Sequence, residues 1–413
     1  MISRRFFLRG AAVLGCSAAA HPLMSTVTLA ATPGDRRLVV IILRGAMDGL
    51  DIVQPYGDPL LAQMRPDLGV GPQNGALDLD GFFALHPAMA GLMPLWSKGE
   101  LAFTHAVSTP YRDKRSHFDG QDMLEAGTGM DVPVSMIRDG WLNRLLQSMP
   151  GARAETAYSV GADEMPVLAG AAPAMAWAPD AWLNLSGQGR ALLEHIYHDD
   201  ALFREAAAEA MTITDTQAAE ALVAQQMAAP MAGGTMVTPG MQATGAGAVQ
   251  KADALAQFAA SRLREDTRIA AFSLNGWDTH RGQAGAIRGP ATRLASMILT
   301  LQQELGAAWG KTLVLAMTEF GRTARQNGSR GTDHGTGGAM VMAGGALRGG
   351  RVYGRWPGLA EADLYAGRDL MPTADIRAYA GWALAGMFGA DRALLERAIF
   401  PGLDLGDDPK FLL

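Results

Sequence analysis

Two patterns of apolar residues alternate along the chain. Continuous, mostly branched runs at 38–43 (LVVIIL), 101–107 (LAFTHAV), 269–274 (IAAFSL), 312–317 (TLVLAM) and 339–343 (AMVMA) predict strands covered on both faces. A strand with one wet face would instead alternate apolar and polar positions. Between these runs, apolar residues recur at helical spacing over 87–96, 134–149, 192–226, 252–264, 291–305 and 374–388. Strands alternating with helices predict an α/β fold, a three-layer α/β/α sandwich around a mostly parallel sheet. Residues 227–250 break the rhythm, being rich in Gly, Ala, Met, Thr and Pro without a period. They predict a flexible insertion within a single domain over 32–413.

The first residues belong to neither pattern. Ser3-Arg4-Arg5-Phe6-Phe7-Leu8-Arg9 precedes a short apolar stretch, GAAVLGCSAAA, and a small-residue region ending at Ala30 and Ala31. Paired arginines ahead of a mildly apolar segment predict a twin-arginine signal over residues 1–31. The expectation is passage through the twin-arginine translocase to a periplasmic or secreted location. A lipoprotein reading of the VLGC stretch would leave only a stub of apolar segment. No apolar run approaches the ~18 residues needed to span a bilayer.

Composition narrows the chemistry. Of 413 residues, 48% are hydrophobic and 18% charged, enough for a large core. The lone cysteine, Cys16, falls within the signal. The mature chain therefore has no disulfide, cysteine nucleophile, thiolate metal site or iron–sulfur cluster. The signal carries three arginines and no acid, so its removal takes the net charge from −6 to −9. That balance excludes nucleic acid as a partner.

Reactive side chains collect just after the predicted strands. RGAMDG brings Asp48, and STPYRDKRSHFDGQD brings Ser108, Arg112, Ser116, His117 and Asp119. NGWDTHRG brings Asp278 and His280, TEFGRT brings Glu319 and Arg322, and GTDHGTGG brings Asp333 and His334. Open α/β sheets bind ligands beyond the carboxyl ends of their strands, so five loops deliver oxygen and imidazole groups to one edge. Asp, Glu and His without Cys suit a divalent metal; imidazole favours zinc or manganese over magnesium or calcium.

Each residue also has a simpler use. Asp48 before Gly49 closes turns, and Asp278 with His280 can share a structural hydrogen bond. Glu319 and Arg322 make an ordinary ion pair, and Ser116 is placed to cap the helix SHFDGQDMLEAG. His117 and Asp122 lie at the same helix start, where an acid suits the dipole. His86, His105, His195 and His198 lack an acidic, glycine-rich setting and read as core or surface histidines.

The leader, RGAMDGLDIVQPYGDP, RSHF with a following acid, GWDTH, TEFGRT and GTDHG, in this order, resemble the bacterial domain-of-unknown-function family 1501 over nearly the whole mature chain. That family is regarded as a branch of the alkaline phosphatase and sulfatase superfamily, which implies an alkaline phosphatase/sulfatase-like sandwich with metal at the strand ends. The resemblance implies Asp48 as the first-strand metal aspartate and Ser116 as the nucleophile, with the small-Gly pair Ala126-Gly127 following and helix-start amides for the substrate anion. It implies one metal site from Asp278, His280 and His334, with Asp333 as helper or additional ligand. A second site, Asp48 with Glu319 and Ser116, lacks its usual histidine because Phe320 stands in that place. Ser108-Thr109-Pro110-Tyr111-Arg112 resembles the sulfatase Cys/Ser-x-Pro-x-Arg signature, but its spacing to Ala126-Gly127 is too long, so Ser116 is preferred.

The implied function is an exported metal-dependent hydrolase of phosphate or sulfate esters. In it Ser116 attacks the ester centre of a small anionic ester or polymer, and Arg322 or Arg112 neutralises the ester oxygens. The alternative is a non-catalytic secreted protein that binds a protein partner on the same scaffold, which the incomplete second site and the Met/Gly-rich segment favour. An acidic-polysaccharide binder fits less well, since only 7% of residues are aromatic.

Overall fold

A computed structural model describes residues 34–112, 114–130, 139–179 and 245–413. The twin-arginine signal, the helix expected at 192–226, His195, His198 and residues 227–244 of the expected insertion lie outside the described residues. Twelve strands are described: β1 (Arg37–Arg44), β2 (Val53–Gln54), β3 (Leu77–Asp78), β4 (Ala84–Leu85), β5 (Leu101–Ser108), β6 (Ala157–Val160), β7 (Met175–Trp177), β8 (Ile269–Asn275), β9 (Thr312–Met317), β10 (Gly338–Ala343), β11 (Arg351–Tyr353) and β12 (Ala374–Asp375). The longer helices are α1 (His117–Ala126), α2 (Trp141–Ser148), α3 (Gly245–Leu263), α4 (Arg288–Leu305) and α5 (Ile376–Phe388).

Strands β2, β4 and β3 make a small sheet of their own, and the other nine form one large sheet in the order β11-β5-β10-β9-β1-β8-β6-β7, with β12 beside β5. Every pairing in the large sheet is parallel except the two made by β10, which runs antiparallel to β5 and β9. The exception matters for function. Because β10 runs the other way, the GTDHGTGG segment leading into it lies at the edge where β1, β5, β8 and β9 end.

The middle strand shows why the run LVVIIL is continuous. Leu38 to Leu43 are all fully buried, but alternate residues enter different cores. Val39, Ile41 and Leu43 pack with Leu263 of α3 and Leu294 and Ile298 of α4. Leu38, Val40 and Ile42 pack with Leu142 and Leu145 of α2 and Ala380 and Leu384 of α5. Helices therefore cover both faces of the sheet, giving the three-layer α/β sandwich. Each such side chain contributes roughly 1.5–3 kcal/mol by leaving water.

The five expected strands are all present. β6, β7, β11 and β12 were not legible, being two to four residues long with no run to mark them. Helix α3 starts at Gly245, inside the segment assigned to the insertion. The helix expected at 87–96 is a 3-10 stretch, Pro87–Leu92, followed by a short α-helix, Met93–Lys98. Gly127, in the left-handed conformation, terminates α1, so the Ala126-Gly127 pair has a helix-ending role.

Helix α1 is bolted to the sheet edge by an ion pair 2.9 Å long between Arg44, at the end of β1, and Glu125. Burial pushes the Glu125 carboxyl up from 4.5 to about 7 despite the opposing charge of Arg44. A carboxyl raised on folding contributes most below its unfolded pKa, and that contribution is lost as pH rises through the folded value. Relative to Glu125→Gln, the wild type is therefore expected to lose about 3 kcal/mol between pH 4.5 and 7. Denaturant unfolding across that range measures it, and parallel profiles for the two proteins would refute it.

Candidate metal centre

Three imidazoles gather around the Asp278 carboxylate at the carboxyl edge. The Asp278 Oδ1 atom lies 3.5 Å from His117 Nε2, 3.1 Å from His280 Nε2 and 3.3 Å from His334 Nε2. His280 Nε2 and His334 Nε2 are 2.9 Å apart. His117, Asp278 and His334 offer ligand atoms that all lie within 4.8 Å of one another. They come from three places: the loop after β8 for Asp278 and His280, the first turn of α1 for His117, and the loop entering β10 for His334.

The far side of each ring is occupied by an oxygen. His117 Nδ1 is 2.8 Å from Glu319 Oε1, His280 Nδ1 is 3.1 Å from Asp333 Oδ1, and His334 Nδ1 is 2.8 Å from the Arg115 carbonyl. All three partners are acceptors, so the network assigns the proton to Nδ1 in each ring and leaves the Nε2 lone pairs facing Asp278. A carboxylate oxygen and three lone pairs at these distances repel one another, and either a cation among them or the second proton of an imidazolium relieves that repulsion. His117 Nε2 is moreover buried without a hydrogen-bond partner. Histidines that ligate metals characteristically give their other N–H to a carboxylate or carbonyl in this way.

The supporting groups are themselves held. Glu319 is fully buried, and its Oε1 also accepts from the Gly45 and Ala46 amides and from Gln121. Burial pushes its carboxyl upward, but hydrogen bonds from His117, Gln121 and Gly45 prevail and hold it below the usual range. Asp333 is lowered by its hydrogen bond from Asn327 and further by His280. Burial likewise opposes ionisation of Asp278, yet the Arg322 hydrogen bond and charge keep its carboxyl low. The Glu319 hydrogen bond raises His117 against the effect of burial, whereas burial lowers His334. Phe320 stacks on His117 with ring centres 5.3 Å apart and lies 5.2 Å from His334, forming an apolar wall beside both rings.

The glycines of GTDHGTGG are required by close approach. A Cβ on Gly331 would overlap the His280 backbone, and one on Gly335 would overlap that of Arg322. The loop pairs along residues 321–323, with Thr323 N donating to Asp333 O at 2.9 Å and Gly335 N to Gly321 O at 2.8 Å. This pairing sets His334 beside His280.

Several expected residues lie away from the convergence point or are held by other partners. Asp48 stands apart from the cluster: its carboxylate accepts from Leu50 N, from Arg65 at 2.8 Å and from Gln283 at 2.6 Å, so it caps a helical turn and balances a buried guanidinium. Glu319 and Asp333 sit behind histidines rather than at the convergence point. The expected second site of Asp48, Glu319 and Ser116 is therefore not assembled. Arg322 is 1% exposed and saturated by four carbonyls and Asp278, so it cannot reach a substrate. Arg112 donates to the Thr109 and Tyr111 carbonyls and lies over the Tyr365 ring. Ser116 caps α1 through a long 3.4 Å contact from Asp119 N, between Arg115 and His117, both of which touch the cluster. Ser108 is buried and bonded to the Thr109 carbonyl.

His117 is the residue that sequence reading missed. It was named among the side chains of the loop after a strand, but the family resemblance gave it no ligand role, and its place within RSHF at a helix start was the available signal. His105 is a core residue: its Nε2 lies 3.0 Å from the Val53 carbonyl, and burial lowers its pKa to about 4.

A family model described as a protein of unknown function, DUF1501, matches residues 83–392. The chain belongs to this family. The match takes in His117, Asp278, His280 and His334 but begins downstream of RGAMDG and Asp48. No curated protein matches this DUF1501 chain. Among solved structures it is similar to Ps i-CgsB in complex with k-i-k-neocarrahexaose, at 10% identity and a TM-score of 0.38, over 86% of this chain and 72% of that one. A second structure of Ps i-CgsB is similar at 10% identity and a TM-score of 0.37, with the same coverage.

Proposed function

We propose that this DUF1501 chain is an exported, metal-dependent hydrolase of phosphate or sulfate esters whose single divalent ion is held by Asp278, His117, His280 and His334. One observation carries the reading: three imidazole Nε2 atoms meet one carboxylate oxygen while every Nδ1 is tied to an acceptor. Zinc or manganese suits this set, because magnesium and calcium prefer all-oxygen shells. A bound divalent ion would supply Lewis acidity toward an ester oxygen and toward an attacking oxygen.

The remaining roles belong to the chain's own groups. Glu319, Asp333 and the Arg115 carbonyl orient the rings, and Arg322 holds Asp278. The side chains of Asp278 and His280 are 45% and 40% exposed, which leaves a path for substrate. Ser116 is the nucleophile of this reading, since it lies between two residues that touch the cluster and at the positive end of α1, where an anion is favoured. Export by the twin-arginine pathway is part of the same proposal, and rests on the paired arginines of residues 1–31.

The test uses p-nitrophenyl phosphate and p-nitrophenyl sulfate with zinc- or manganese-loaded protein. Turnover is expected from the wild type, and Ser116→Ala is expected to keep its metal and fall to background. Metal binding without turnover on either ester would favour the non-catalytic binding protein instead.

A further inference from the structure

Behind the cluster lies a buried amide that touches none of the four converging side chains yet joins the loops that carry three of them. Gln283 is fully buried. Its Nε2 donates to Asp48 Oδ2 at 2.6 Å and Asp51 Oδ2 at 2.8 Å, and its Oε1 accepts from Thr279 Oγ1 at 2.8 Å and Thr332 Oγ1 at 2.6 Å. All four hydrogen-bonding positions of the amide are used, and the mix of acceptors and donors fixes which way it faces. Thr279 stands between Asp278 and His280. Thr332 precedes Asp333 and His334, and its carbonyl accepts from Arg322, the residue that holds Asp278.

We infer that Gln283 is a positioning residue for the metal centre, locking the Asp278/His280 loop to the His334 loop. The inference rests on the metal reading proposed above. Besides this amide, the two loops are joined by Arg322, by His280 Nδ1 to Asp333 Oδ1 at 3.1 Å, and by backbone contacts that include Thr332 N to Thr279 O at 3.2 Å and Gln283 N to Arg330 O at 2.9 Å. Such contacts align the chains, while the amide fixes the spacing between Thr279 and Thr332 from one planar group. On the other side the amide is anchored by Asp48, which Arg65 pairs at 2.8 Å; Arg65 also donates to the Thr323 and Ala324 carbonyls of the segment that pairs with the glycine loop. Gln283→Glu keeps the shape but turns acceptor oxygens toward two carboxylates, which drives the loops apart. Thr332→Val removes one donor to the amide, and Thr332→Ser restores it.

The experiment measures zinc affinity of the full chain by chelator competition and records the visible spectrum of the cobalt-loaded protein, a reporter of ligand geometry. Gln283→Glu and Thr332→Val are expected to weaken zinc binding by about ten- to hundredfold and to alter the cobalt spectrum, with Thr332→Ser close to wild type. Zinc affinity and a cobalt spectrum unchanged in folded Thr332→Val would overturn the inference, and this pair decides it should Gln283→Glu not fold. If zinc binds wild type but not His334→Ala while the Gln283 and Thr332 variants match wild type, the positioning role alone fails. If wild type binds no zinc, the metal reading and the inference fall together.

Discussion

Replacing His117 by alanine is expected to lower affinity for a divalent ion by at least about a hundredfold while the protein stays folded. The imidazole is the one contributed by α1, and its Nε2 has no partner other than the convergence point. Glu319 would keep the Gly45 and Ala46 amides and Gln121 after the ring is gone, so no buried carboxylate is stranded. The fold is therefore predicted to survive what the site does not. Calorimetric titration with zinc, alongside circular dichroism of the variant, measures both halves. Undiminished affinity would remove His117 from the centre and leave the Nε2 atom unexplained.

Arg322→Met is expected to produce the largest loss of stability, about 3–5 kcal/mol. The guanidinium bonds the carbonyls of Gly45, Ala46, Trp277 and Thr332 and the Asp278 carboxylate, at distances from 2.6 to 3.0 Å. Those acceptors come from the ends of β1 and β8 and from the glycine loop, so one side chain gathers three of the loops that build the site. Methionine fills the volume but leaves four buried carbonyls without donors and Asp278 without its counter-charge. Lysine keeps the charge yet offers three donors where the planar fork offers five, so Arg322→Lys is expected to fall between the two. Chemical denaturation of the three proteins measures the order, and a loss below about 1 kcal/mol for Arg322→Met would contradict it.

The sheet was readable because its long strands are buried on both faces. LVVIIL has no polar position, and the structure accounts for this with a separate helix layer behind each set of alternating residues. AYSV and MAW are no less part of the sheet, but strands this short are specified by their neighbours more than by their own pattern. Most of the loops carrying chemistry were also legible, since each directly follows a readable strand, whereas GTDHG leads into one. The direction of β10 was not: nothing in AMVMA distinguishes a parallel from an antiparallel strand, and that direction is what places GTDHG at the edge before its strand begins.

Within the site, residue type could be read but depth could not. Asp48, Glu319 and Asp333 have the chemistry of ligands, yet Asp48 is claimed by Arg65 and Gln283, Glu319 by two backbone amides and His117, and Asp333 by Asn327 and His280. Only three-dimensional packing separates a carboxylate that meets the convergence point from one that aims a histidine at it. Gln283 carried no sequence signal, because a glutamine becomes decisive only when four partners surround it.

The claim on which the rest depends is that three imidazoles and Asp278 hold one divalent ion. It is tested most directly by zinc-edge X-ray absorption on the full chain loaded with one equivalent of zinc, beside His117→Ala. A wild-type shell with three imidazole nitrogens at about 2.0–2.1 Å and one carboxylate oxygen is the expected result, with one imidazole fewer or no retained zinc in the variant. A shell of oxygens alone, or a wild type that retains no zinc, would contradict it.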